Sequence, residues 1–365
     1  MKIAVYAICK NESQFADRWM DSMSEADQVV VLDTGSTDDT VERLRARGAA
    51  VFQQVFQPWR FDTARNRSLE LVPDDVDICV CTDLDEVFHP GWRALLEAAW
   101  RPECGQAAYR YTWNFNPDGS EGHVFWYEKI HRRHGYRWTH PVHEVLEWTG
   151  PGPAGPTVTV EGIQLDHHAD DTKSRAQYLP LLELSVRESP EDDRNTHYLG
   201  REYLFHGDWD RCIATLEHHL AMPTATWADE RCASMRYLSR AWLAKGRPDI
   251  ALSWLLRAAA EAPHLREPFV ELAQLFHDQE DWAGTVWAAQ HALAITHRPR
   301  TYICEGSAWG SLPHDLLAMG YYRLGLLPAS LEAARAAFRL APEDARLRRN
   351  VDLIQQALEE TGGMV

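Results

Sequence analysis

Four short apolar runs alternate with amphipathic stretches over the first 90 residues, and this alternation restricts the fold more than any other feature of the chain. Ile3 to Ile8, Gln28 to Leu32, Ala50 to Gln53 and Asp77 to Cys81 read as strands, with helical spacing between them over Phe15 to Ser24 and Thr37 to Arg47. Strands separated by helices argue for βαβ units and a largely parallel sheet. Ser36 or Thr37 would cap the second helix, Asp38 and Asp39 would sit in its first turn, and Gly48 would end it in a left-handed conformation.

From about Ala107 to Val160 the texture changes to short aromatic-rich segments with a turn signal at Asn116-Pro117-Asp118-Gly119. That pattern predicts strands and loops covering one end of the sheet and shaping an acceptor pocket. Trp113, Phe115, Trp126, Tyr127 and Trp138 lie here, open to two readings, core packing or stacking against a sugar or peptide. Gly150 to Pro156 is a hinge or surface loop by composition.

Beyond about Asp171 the pattern is continuously helical and self-similar. Tyr198 to Tyr203 with Gly207-Asp208-Trp209, Tyr237 to Leu243 with Gly246-Arg247-Pro248, Phe269 to Phe276 with Glu280-Asp281-Trp282, and Leu316 to Leu324 with Gly325 align as four units. Their turns at 207, 246, 280 and 325 fall about 39, 34 and 45 residues apart. This resembles tetratricopeptide repeats, stacked helical hairpins of which each buries its neighbour's apolar face. The chain therefore reads as an α/β domain over 1–170 and an all-α repeat domain over 171–365.

With a net charge of −17 the chain lacks the basic surplus that a grip on nucleic acid needs. The apolar residues between Lys2 and Lys10 are too few for a secretory leader, and no later run reaches membrane length. Seven cysteines without a C-x-x-C pair read as reduced thiols in a cytoplasmic protein.

The chemistry concentrates at Thr82-Asp83-Leu84-Asp85-Glu86, which follows the β-branched run Val76 to Val80. Both aspartates would stand at the carboxyl end of a strand, the edge where open α/β sheets bind ligands. Two carboxylates one residue apart can hold a hard cation that bridges diphosphate oxygens; a solvated acidic loop is the bland alternative.

Several segments in order resemble the family 2 glycosyltransferases of GT-A fold, a Rossmann-like class, across roughly positions 1 to 170. They are Ile3 to Ile8 with Lys10-Asn11-Glu12, Val29 to Leu32 with Asp33-Thr34-Gly35-Ser36-Thr37-Asp38, Phe61-Asp62-Thr63-Ala64-Arg65-Asn66, and the Asp83-Leu84-Asp85 segment. The resemblance implies transfer of a sugar from a nucleoside-diphosphate donor, a UDP-sugar first, with inversion and Mn²⁺ or Mg²⁺. Donor contacts would come from Ala7, Lys10, Asn11, Glu12, Asp33, Gly35, Ser36, Arg65, Asn66, Thr82 and Asp83, with Lys173 and Arg175 as cationic clamps. Locally, Asp33 to Asp38 also reads as a capped turn, Arg65 and Asn66 as a polar helix face, and Lys173 and Arg175 as a charged linker.

Metal ligands would be Asp83, Asp85 and, among His143, His167 and His168, preferably His167, since neutral imidazole suits Mn²⁺. Glu144, in His140-Pro141-Val142-His143-Glu144, is the candidate general base, although the family more usually shows a Glu-Asp pair there; Asp118 and Glu121 are alternates. The repeats would recognise a peptide, protein or saccharide acceptor, or a partner, with homo-oligomerisation left open. Two other readings compete. One is an interaction module carrying an inactive sugar-nucleotide domain, and the other a phosphatase of haloacid-dehalogenase type, disfavoured because three strands precede its Asp-x-Asp.

Overall fold

The four apolar runs form β1 (Ile3–Cys9), β2 (Gln28–Asp33), β3 (Ala50–Gln53) and β4 (Ile78–Cys81) in the computed structural model, which describes residues 1–116, 119–170 and 176–362. The chain divides into two compact units, Met1–Glu188 with Arg300–Tyr302, and Ser189–Pro299 with the residues from Ile303 onward.

In the first unit β1 pairs in parallel with β2 and β4, and β2 with β3. The connecting helices are α1 (Ser13–Ser22), α2 (Thr40–Ala46) and α3 (Phe61–Glu70). Why β1 is apolar without alternation follows from its two covered faces. Ile3, Val5 and Ala7 join Trp19 and Met20 of α1 in one core, whereas Ala4 and Tyr6 join Leu69 of α3 and Trp138 in another. Each large side chain so buried contributes about 2–3 kcal/mol.

Residues 106–167 depart from expectation. Rather than covering an end of the sheet, β6 (Gln106–Thr112), β7 (Val124–Arg132) and β10 (Thr157–His167) continue it, and β5 (Glu86–Phe88) closes the edge in the order β3-β2-β1-β4-β7-β6-β10-β5. Four of the seven pairings are parallel; β7 runs antiparallel to β4 and β6, and β5 to β10. Tyr109 and Tyr111 explain the extension, because their rings fill the same core as β1. A separate hairpin, β8 (Tyr136–Thr139) with β9 (Val145–Trp148), lies beyond the sheet. Helices α4 (Trp92–Ala99) and α5 (Tyr178–Glu188) complete the unit. The turn signal at 116–119 survives as a bridge between Phe115 and Glu121, with residues 117 and 118 outside the described set.

The second helix starts later than its sequence suggests, at Thr40 rather than Thr37. Residues 36–38 are held by other partners: Ser36 Oγ accepts from Asn11 N at 2.8 Å, Thr37 N donates to Asn11 Oδ1 at 2.7 Å, and Asp38 Oδ1 accepts from Thr40 N at 3.1 Å. Gly48 does adopt a positive φ of 94° behind the helix end.

The second unit is a series of helical hairpins. Its helices are α6 (Asp193–Phe205), α7 (Trp209–Ala221), α8 (Ala228–Ala244), α9 (Pro248–Glu261), α10 (Glu267–Asp278), α11 (Trp282–Ala294), α12 (Leu312–Arg323), α13 (Leu327–Leu340) and α14 (Ala345–Gly362). Each packs on the next, and α6, α8, α10 and α12 also touch in succession, as stacked hairpins require.

All four aligned turns share one geometry. Gly207, Gly246, Glu280 and Gly325 have φ of 73°, 71°, 58° and 75°. The following amides, from Asp208, Arg247, Asp281 and Leu326, each donate at 2.9 Å to a carbonyl five residues earlier. This is the Schellman closure, which needs a left-handed residue. The longest spacing between turns is filled by a 3-10 turn, Gly306–Trp309, between α11 and α12.

Candidate functional site

Strand order departs from β1 toward β2 on one side and toward β4 on the other, so a crevice opens at the carboxyl ends of β1 and β4. Thr82 through Glu86 leave β4 at that edge. Leu84 is wholly buried and anchors the turn, which Glu86 N closes by donating to Asp83 O at 3.1 Å. With the intervening leucine turned into the core, Asp83 and Asp85 are set into the crevice. Thr82 is buried and accepts from Trp19 Nε1 at 3.1 Å.

Arg65 sits between two carboxylates. Its Nη2 donates to Asp83 Oδ1 and Oδ2 at 2.9 and 3.1 Å, and its Nε donates to Glu144 Oε1. Helix α3 positions both ends of this bridge: Phe61 N donates to Pro141 O at 3.0 Å, and the Asn66 side chain holds the Trp138 backbone at 2.7 and 2.8 Å. Asn66 thereby fixes the segment that carries Glu144, and the Arg65 guanidinium lies 5.4 Å from the Trp138 ring.

Lys129 is a member that sequence reading missed. Projecting from β7 and buried, it meets Asp83 Oδ2 at 3.1 Å and Glu86 Oε1 at 3.2 Å. Glu86 also accepts from Tyr111 Oη and from Asp83 N, both at 2.9 Å. Burial alone would raise the Asp83 pKa, but the Arg65 and Lys129 charges outweigh it and hold the carboxyl well below its usual range. Glu86 moves the other way, pushed up by burial against the pull of Lys129. One signal could have flagged Lys129: a lysine inside an aromatic-rich strand needs a buried acid, and Glu86 stands directly after Asp85.

Asp85 is different in kind from Asp83. It is nine-tenths buried, and its Oδ1 has no hydrogen-bond partner among the described residues. Its Oδ2 lies 3.5 Å from His167 Nε2. His167 Nδ1 is 2.8 Å from the Trp113 carbonyl, which only accepts, so Nδ1 carries a proton and the ring stacks on Trp113 at 4.6 Å. Burial lowers the His167 pKa, but the hydrogen bond and charge of Asp85 outweigh it, for a net rise. His168 stacks on Phe115 at 5.6 Å and is shifted down by burial. An orphaned buried carboxylate oxygen beside an imidazole whose other nitrogen is fixed by a carbonyl fits a divalent cation.

The loops after β1 and β2 are tied together. Asn11, at φ 54°, takes up Ser36 and Thr37, while Glu12 is buried and its amide donates to Thr40 Oγ1 at 2.8 Å. Asp33 is wholly buried; its carboxylate accepts from Gly35 N, Ser36 N and Gln53 Nε2 at 3.1–3.3 Å. These bonds form the turn that follows β2. Ala7 packs in the core, and Lys10 and Asn11 are exposed. Glu121 is paired with Arg110 and Thr112. Asp118, Lys173 and Arg175 lie outside the described residues. His143 has a positive φ of 50° and rests 5.7 Å from the Tyr178 ring. A cavity of about 480 Å³, lined by Asp74 to Asp77, Arg132 to Gly135, Trp148 and Pro151, is at the opposite end of β4 and holds none of these groups.

Residues 5–146 match the family described as Glycosyl transferase family 2. That span includes Arg65, Asp83, Asp85, Lys129 and Glu144 and stops short of His167. No curated protein sequence matches the chain. Solved structures align with its helical part. A thermophilic TPR protein of Thermus thermophilus is 21% identical with a TM-score of 0.36, covering 49% of this chain and 89% of that one. MamA is 15% identical at 0.37, covering 46% and 89%, and the Cut9–Hcn1 hetero-tetramer of the APC/C is 14% identical at 0.40, covering 50% and 33%.

Proposed function

With a glycosyl transferase family 2 domain over residues 5–146, we propose that this protein transfers a sugar from a nucleoside-diphosphate donor, UDP-linked first, to an acceptor nucleophile with inversion. The observation that carries the reading is the orphaned, buried Oδ1 of Asp85 beside His167 Nε2. Asp85 and His167, with Asp83 sharing its oxygens with Arg65 and Lys129, would hold Mn²⁺ or Mg²⁺, which supplies neutralisation of a diphosphate leaving group.

The chain's own residues account for the rest. Three carboxylates, Asp83, Glu86 and Glu144, pair with two fixed cations, Arg65 and Lys129, and the charge of Asp85 acts on Glu86 beside them, an arrangement that favours a cation over a bare anion. Glu144 takes the acceptor proton; Arg65 engages its Oε1, and Oε2 is the acceptor atom left for that proton. Lys10, Asn11 and Ser36 line the nucleotide end, with Asp33 and Gly35 shaping their loop. Lys173 and Arg175 stay assigned as diphosphate clamps.

The helical unit takes acceptor or partner recognition, a peptide or saccharide being the candidate ligands; Trp227, Leu256, Trp287 and Tyr322 leave 39–47% of their surfaces exposed there. Seven buried free thiols support a reducing, cytoplasmic setting, and among the described residues no helix is long and apolar enough to cross a membrane.

Glu144→Gln tests the division of labour. It should abolish transfer, on the order of 10²-fold or more, while UDP binding with Mn²⁺ stays within about twofold. Full turnover in that variant would remove Glu144 from the mechanism.

A further inference from the structure

The helical unit holds a cluster of side chains that sugar transfer does not use. Asp193 opens α6, His219 lies in the last turn of α7, and Glu230 lies in the first turn of α8. One ligand-capable atom from each comes within 4.8 Å of the other two, the one such group of three among the described residues. His219 is wholly buried and Glu230 is 4% exposed, whereas Asp193 is half-buried and gives the cluster a route to solvent.

Two hydrogen-bonding details separate this cluster from an ordinary buried ion pair. His219 Nδ1 lies 3.0 Å from Ser234 Oγ, which in turn lies 2.8 Å from His197 Nδ1. A hydroxyl has one proton, so Ser234 can donate to one ring and must accept from the other. If His219 donates, its Nε2 carries the lone pair, and that nitrogen is directed at the carboxylates. Nε2 stands 3.4 Å from Glu230 Oε1 and has no hydrogen-bond partner among the described residues. The distance is long for an N–H···O bond, which clusters at about 2.7–3.2 Å. It matches the ~3.3 Å between two ligands of a tetrahedral shell with bonds of about 2.0–2.1 Å.

We propose that Asp193, His219 and Glu230 form a divalent-cation site of the zinc type that ties α6, α7 and α8 together. One dication neutralises the two carboxylates, and both of these open helices whose N-termini already favour negative charge. The imidazole selects zinc over magnesium or calcium. Ser234 is the outer partner that orients the imidazole, as carbonyl or hydroxyl groups do around histidine ligands. Water completes the shell on the Asp193 side. No residue is shared with the Asp85 site, so this cation serves the repeats' stability rather than sugar transfer.

The test uses the full chain carrying Asp85→Asn, which disables the other candidate metal site by removing its one carboxylate with an unpartnered oxygen, after chelator treatment. Zn²⁺ alone is titrated by calorimetry, and thermal unfolding is followed with and without it. One equivalent should bind, and the helical transition should rise with free Zn²⁺. Adding Asp193→Asn or Glu230→Gln should weaken Zn²⁺ at least tenfold with the far-ultraviolet helix signal unchanged. Because Asp193 is half-buried, its variant decides the matter should Glu230→Gln not fold. No Zn²⁺ binding by the folded Asp85→Asn chain, or binding that Asp193→Asn leaves unaltered, would overturn the site.

Discussion

Asp85 Oδ2 and His167 Nε2 stand 3.5 Å apart, at the outer limit of hydrogen bonding, while the other oxygen of Asp85 is buried with no hydrogen-bond partner among the described residues. Asp83, two residues earlier, has both oxygens bonded to Arg65 and Lys129. The two aspartates of one short motif are therefore not equivalent. Asp83 is integrated into a charge network, and Asp85 is the one with unmet hydrogen-bonding capacity.

Arg65 is 5% exposed and serves two carboxylates. Arg65→Met should destabilise the N-terminal unit by about 3–5 kcal/mol, since Asp83 and Glu144 would lose a buried countercharge. Arg65→Lys keeps the charge but cannot span both partners, and should recover only part of that loss. Urea denaturation followed by tryptophan fluorescence measures both; a loss below about 1 kcal/mol in the methionine variant would show that the network is dispensable.

His131 gives the N-terminal unit an acid limit. Its Nδ1 faces the Arg132 carbonyl at 2.6 Å, its Nε2 faces Tyr6 Oη at 2.8 Å, and Trp138 Nε1 donates to that oxygen at 2.8 Å. Burial pushes its pKa down to about 4. Between roughly pH 6.5 and 4 the unfolded chain binds a proton that the folded chain refuses, so stability is full above that window and falls as pH drops through it. The contribution lost amounts to about 3 kcal/mol. Denaturation midpoints across pH 7 to 4 should fall less steeply in His131→Gln than in the native chain, and parallel curves would exclude His131 as the source.

Glu280 occupies a left-handed position that glycine fills in the other three aligned turns. Glu280→Gly should stabilise the helical unit by about 1 kcal/mol, the strain of a side chain at positive φ less the entropy that glycine adds to the unfolded state. The shift is read from the thermal transition of that unit. An unchanged or lowered transition would mean that the turn is relaxed with a side chain present.

What the sequence made legible follows periodicity and local turn chemistry. The runs that became β1 and β4 were visible because those strands are buried along their whole length and read as unbroken apolar stretches, whereas the edge strand β3 is mostly exposed and was marked by little more than Val51 and Phe52. The hairpin turns were visible because three of four left-handed positions are glycines. Less legible were features made through space. Lys129 reaches Asp83 and Glu86 from a strand more than forty residues onward, and no spacing rule links them. The insertion of β6, β7 and β10 into the main sheet depends on Tyr109 and Tyr111 reaching the β1 core, a tertiary choice. At α2 a sound cap signal was displaced because Asn11 claims Ser36 and Thr37.

Sugar transfer as proposed requires that Asp85 couple metal binding to nucleotide binding. Calorimetric titration of UDP into the native chain and into Asp85→Ala, each with and without Mn²⁺, measures it. The native chain should bind UDP at least tenfold more tightly with Mn²⁺ than without, and Asp85→Ala should lose that gain while remaining folded. Equal UDP affinity with and without the metal in the native chain, or an undiminished metal effect in Asp85→Ala, would contradict it.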